Sequence, residues 1–137
     1  MKDPISNLLE AMQEALATRP KVGGFPHLAE KLRAAGVVRN LWTLPSCQSI
    51  YITTLENVVM PGPTLISGAT NIPSFDQARL INSLRADQAG ETTFEEFLAG
   101  AWESGCVSYE VDFNARTVAY HGVAGEVYIE EYPAVSL

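Results

Sequence analysis

The chain has 137 residues, 47% of them apolar and 18% charged, and a net charge of −7. That length suits one domain over 1–137 with a single core, and the balance is globular rather than disordered or fibrous. No apolar run approaches the roughly 18 residues of a membrane span, and an acidic chain repels phosphate backbones, so neither membrane nor nucleic acid is an expected partner.

The charge is uneven. Residues 1–68 hold six Lys/Arg and five Asp/Glu, a net of +1, whereas 69–137 hold three and eleven, a net of −8. The first residues carry Asp3, Glu10 and Glu14 and do not read as a signal peptide, so a soluble cytoplasmic protein is expected. Cys47 and Cys106 have neither CxxC spacing nor a ligand-spaced histidine, and both are expected as reduced, packed thiols.

In chain order, a first helix is predicted from Pro4 to Thr18. Asp3 caps it, and Ile5, Leu8, Leu9, Met12 and Leu16 form its apolar face. The linker Arg19 to Gly24 carries Pro20, Gly23 and Gly24. A second helix starts at Pro26, sets Phe25, Leu28, Ala29 and Leu32 on one side, and stops at Gly36. Strands follow at Val37 to Leu44, Gln48 to Thr54 and Asn57 to Met60, with Pro45 and Pro61-Gly62-Pro63 as stops.

A connector from Pro61 to Pro73 leads to a third helix ending near Gln88, with Ser74 and Gln77 as its capping box. The fourth is capped by Thr92 with Glu95 or by Thr93 with Glu96, and aligns Phe94, Phe97, Leu98, Ala101 and Trp102. After Gly105 the period becomes two. Val107, Tyr109, Val111 and Phe113 alternate with Ser108, Glu110 and Asp112, opening a three-stranded meander that continues through Arg116 to His121 and Glu126 to Tyr132. The halves 1–68 and 69–137 align at an offset of 69 through Phe25/Phe94, Gly36/Gly105 and Val38/Val107. The fold class is therefore α+β: two αα–βββ halves with helices packed on one face of an antiparallel sheet or a pair of sheets.

The turns set the candidate site. A two-residue Asn114-Ala115 turn and a four-residue Gly122–Gly125 turn place Tyr109, Val111, Phe113, Val118 and Tyr120 on a core face. The opposite face then gathers Asp112, Thr117, His121, Glu126, Tyr128 and Glu130 as candidate ligand-binding residues, with His121 opposite Glu126 and Thr117 between Asp112 and Glu130. Close carboxylates raise one another's pKa, and a histidine among carboxylates can take a proton or a divalent cation. The competing reading is a plain solvated sheet face. A one-residue slip would send these side chains to the other side.

Cys47 as a nucleophile, with His121 or His27 as base, lacks a neighbouring cation or helix N-terminus to lower its pKa; a buried structural cysteine is expected. His27 is expected to face solvent. Gly122–Gly125 lacks the strand–loop–helix setting of a phosphate cradle, and no cofactor or resident metal is expected.

The segments LRADQAGETTFEEFLAGAW (84–102), YEVDFNARTVAY (109–120) and GEVYIEEYPAV (125–135), with FPHLAEKLRAAGV (25–37) and SCQSIY (46–51), resemble a family of small uncharacterised bacterial proteins. It is known as a domain of unknown function, and some members carry a phage envelope label. The resemblance implies prophage association at most, and brings no catalytic residue or cofactor. Its Asp87, Gln88, Gly90 and Thr92 read as the turn and cap between the third and fourth helices, and Asp112 and Arg116 as a pair across a hairpin. The expected role is binding, to a small molecule, to a protein partner or as a homodimer. The alternatives are a small hydrolase or metal-dependent enzyme using His121, Glu126, Asp112 and Glu130, and a phage- or host-modulating protein whose acidic half meets a basic partner.

Overall fold

The computed structural model describes residues 3–20 and 24–137; Gly23 of the predicted linker lies outside the described residues. The elements run α1 (Pro4–Thr18), α2 (Gly24–Ala34), β1 (Val37–Thr43), β2 (Ser49–Thr53), β3 (Val58–Met60), α3 (Gln77–Gln88), α4 (Phe94–Glu103), β4 (Cys106–Asp112), β5 (Thr117–Gly122) and β6 (Val127–Glu131). The strands form one antiparallel sheet in the order β3-β2-β1-β4-β5-β6, so the two αα–βββ halves share a sheet through the β1·β4 pair.

Local chemistry explains the helix ends. Asp3 accepts the Ser6 amide at 3.0 Å, and Pro4 occupies the first turn, where a missing N–H costs nothing. Only part of the predicted α1 face is buried: Leu8, Ala11 and Ala15 pack inward, whereas Ile5, Leu9 and Leu16 stay exposed. Asp76 caps α3 by accepting the Arg79 amide at 3.1 Å, in place of the predicted Ser74–Gln77 box. Of the two predicted boxes for α4, Thr93 with Glu96 forms. Gly105 (φ +85°) then turns the chain into β4, and a Cβ there would lie 2.6 Å from the Phe75 backbone. Only glycine fits.

The halves repeat in their pairing as well as their order. Leu41 pairs with Glu110, 69 residues on, so this pair sits on a pseudo-two-fold axis between β1 and β4. Arg39↔Asp112 and Thr43↔Ser108 are related to each other by the same offset. The irregularity in β1·β2 between Val37 and Arg39 recurs in β4·β5 between Cys106 and Ser108. Tyr51 and Tyr120, also 69 apart, are both buried in the core.

All four helices lie on one face of the sheet. There Trp42 stacks on Tyr109 with ring centroids 5.9 Å apart and meets Phe94 of α4 edge-on at 5.4 Å, and Phe97 meets Tyr120 at 6.5 Å. Tyr51, Val111, Phe113 and Val118 complete the core on this side. Arg116, at φ +56° in the β4–β5 turn, reaches α2 instead of its expected partner Asp112 and binds the nearly buried Glu30 at 2.6 Å.

Candidate functional site

The β4·β5 register is the expected one: Tyr109 faces Tyr120, Val111 faces Val118 and Asp112 faces Thr117. The turn between them holds four residues, 113–116, and Asp112 Oδ1 accepts the amides of Asn114 and Ala115 at 3.0 and 2.9 Å. Two- and four-residue turns about one centre keep the same pairing. At the next hairpin the parity changes. The Gly122 amide donates to the Glu126 carbonyl at 2.9 Å, leaving a three-residue loop, 123–125, with Gly125 at φ +91°. β6 is displaced by one residue from the expected register, and every side chain on it changes face.

The six candidate residues are therefore not gathered on one surface. Asp112, Thr117 and His121 lie on the helix-free face. Tyr128 and Glu130 point to the helix side, where Glu130 accepts from Arg85 and Gln88 of α3, each at 2.6 Å, and from the Tyr128 hydroxyl at 2.7 Å. Burial alone would push the Glu130 carboxyl up, but the three donors and the Arg85 charge outweigh it and hold its pKa below the usual range. Glu126 closes the loop, its carbonyl taking the Gly122 amide and its carboxylate the Ala124 amide at 2.9 Å, while the ladder pairs His121 with Val127 in its place. Among the described residues, no three His, Cys, Asp or Glu side chains gather where one ion could sit.

In this register the helix-free face carries a different feature. The strand pairings line up three rows across the helix-free face. The middle row runs Val59–Ile50–Leu41–Glu110–Ala119–Ile129, one residue from each strand. One flanking row is Ile52–Arg39–Asp112–Thr117–Glu131, the other Thr43–Ser108–His121–Val127. Five of six middle-row residues are apolar, and Glu110, the exception, pairs with Arg39 beside it. Val59 and Ile129, at opposite edges of the sheet, are 56% and 58% exposed. Leu41, Ile50 and Ile52 are half-buried and stand outside the core cluster. Sequence alternation could have found the β2 part of this apolar face, since Ile50 and Ile52 alternate with the buried Ser49 and Tyr51.

A shallow cleft of about 300 Å³ lies between the end of α1 and the α3–α4 junction, lined by Arg19, Asp87, Gly90, Thr92 and Phe94 among others. Burial raises the Asp87 carboxyl, partly offset by Arg19. Thr92 Oγ1 is buried there with no hydrogen-bond partner among the described residues. The two thiols are buried and unpaired, as expected. Burial pushes Cys47 up and Cys106 to about 11. His27, half-buried, shares a 2.7 Å hydrogen bond with Thr18.

With this geometry fixed, comparison with known proteins places the chain. A family model described as "Protein of unknown function (DUF1398)" matches residues 13–131. The chain belongs to this family. Among its relatives are Uncharacterized protein Rv2012 of Mycobacterium tuberculosis and Uncharacterized protein Mb2035 of Mycobacterium bovis. Each is 49% identical over 135 residues, covering 98% of this chain and 82% of the relative. The DUF1398 description and these names carry no activity. No helix among the described residues is long and apolar enough to cross a membrane.

Proposed function

We propose that this DUF1398 protein acts by binding, and that its working surface is the helix-free face of the sheet. The observation that carries the reading is the middle row, five of its six residues apolar, crossing all six strands with no helix among the described residues above it. Antiparallel sheets that leave one face to water normally alternate apolar-in with polar-out. Here the outer positions of β2, β3 and β6 carry Ile50, Ile52, Val59, Val127 and Ile129 instead. Contiguous exposed apolar surface of this kind marks an interaction site.

Three of the four polar residues that suggested catalysis, all but His121, are already engaged in holding the fold. Asp112 and Glu126 close turns, and Glu130 with Tyr128 ties β6 to α3. The proposal is for a soluble cytoplasmic protein, in keeping with two unpaired buried thiols. The prophage setting implied by some family labels is compatible with it but contributes no residue to it.

The test uses the dye ANS, which brightens on exposed apolar surface, at high dilution. Ile50→Lys should lower the fluorescence markedly, whereas Leu9→Lys, on the exposed side of α1, should not. Equal signals from both variants would remove the sheet face as the working surface.

A further inference from the structure

Resting on that reading of the sheet face, we infer that its occupant is a second copy of this chain, packed face to face about a two-fold axis parallel to the strands. The axis passes between β1 and β4, so β3 of one copy lies over β6 of the other and β2 lies over β5.

Charge selects this orientation. On the helix-free rows the charges are Arg39 on β1 and Glu110, Asp112 and Glu131 on β4 and β6, so this axis sets the β1–β3 side of one copy over the acidic β4–β6 side of the other. A two-fold perpendicular to the strands would set the acidic halves on each other, and like charges brought together disfavour association. The chosen axis also reads correctly residue by residue. Arg39 and Asp112 are register partners at one level of the sheet, so the rotation sets Arg39 of each copy over Asp112 of the other. Asp112 uses Oδ1 for its turn, leaving Oδ2 to accept. In the middle row the rotation stacks Val59 over Ile129, Ile50 over Ala119 and Leu41 over Glu110, each twice, and Arg39 bridges the Glu110 of its own copy and the Asp112 of the other.

The area is sufficient. Six strands about 4.8 Å apart and five residues of about 3.4 Å give a flat footprint of roughly 500 Å² per copy. Two copies therefore bury on the order of 1,000 Å² before side-chain relief is added, at the lower end for a specific interface. Aligned sheets cross at about 30°, which displaces contacts at the outer strands along the strand direction. Long side chains are therefore the right probes there.

The experiment is sedimentation of the full chain from micromolar to submillimolar concentration, with Val59→Glu, Ile129→Lys and the double variant. Both positions are exposed in the single chain, and circular dichroism checks that each variant folds. The wild type should dimerise. Each single variant should weaken the dimer at least tenfold, and the double variant should recover it, because each interface then contains two Glu–Lys pairs. Mixing the two single variants gives a second route to the same recovery, through one Glu–Lys pair and one native Val–Ile pair. A wild type that stays monomeric, a dimer indifferent to the substitutions, or singles that weaken it without recovery in double or mixture would each overturn the second-copy proposal. Dye binding separates this from the broader reading. A monomer whose ANS signal falls in Ile50→Lys keeps the face as a binding surface and loses only the second copy. A monomer with no such fall loses both.

Discussion

Glu130→Ala tests the β6 register at its most informative point. The side chain is 14% exposed and takes hydrogen bonds from Arg85, Gln88 and Tyr128. A hydrogen bond to a charged group contributes about 1.5–3 kcal/mol when buried. Arg85 is half exposed and regains water on truncation, so the whole cluster is worth about 2 kcal/mol rather than the sum of three bonds. With an unfolding entropy of roughly 2.1 cal/mol/K per residue, that is about 7 °C in Tm for a chain of this size. Ile129→Ala, one residue away and on the open face, should change stability by less than about 0.5 kcal/mol when measured at dilution. Glu130→Gln adds a pH signature. The folded pKa of Glu130 lies below its unfolded value, so its contribution is complete above the ordinary Glu range and is lost as pH falls through the lower folded value. The gap between wild type and Glu130→Gln should therefore close on acidification. Urea unfolding of the three variants across that range is the assay. A neutral Glu130→Ala with a costly Ile129→Ala would mean the strand is paired in the other register, and would return Glu130 to the polar face.

Arg116→Ala should lower the urea midpoint clearly, because it strands the Glu30 carboxylate, whose side chain is only 9% exposed; an unchanged midpoint would contradict the pairing. Gly105→Ala should destabilise well beyond Gly125→Ala. Both adopt positive φ, but only Gly105 has backbone 2.6 Å from the new Cβ, so the second variant isolates the conformational cost of about 1 kcal/mol. Neither cysteine should react rapidly with a thiol reagent in the native state at neutral pH, since burial raises both thiols; fast labelling of folded protein would contradict their placement.

The architecture was legible because helix caps, glycine stops and period-two alternation are local signals. The four helices and six strands fall close to their expected bounds, and the two halves appear in order. The α3 cap was misplaced because Ser74-Phe75-Asp76 offers two capping side chains, and only Asp76 reaches the free amide of Arg79. The candidate site was less legible, since it depended on loop parity. The β4–β5 turn was expected two residues too short, yet its centre was right and its faces survived. The β5–β6 loop was one residue too long, and that single residue moved Tyr128 and Glu130 to the helix side and brought Val127 and Ile129 out. No local rule separates a three-residue loop ending in Gly125 from a four-residue loop spanning Gly122 to Gly125. The α3 partners Arg85 and Gln88, which hold Glu130 inward, lie more than forty residues away in sequence.

Pairing of two copies through the open sheet face is the central claim, and its most direct test is the light-scattering mass of the wild type beside Ile50→Lys at one high concentration. The wild type should weigh twice the single chain and the variant should weigh one. Equal masses for the two proteins, whether single or double, would contradict the account.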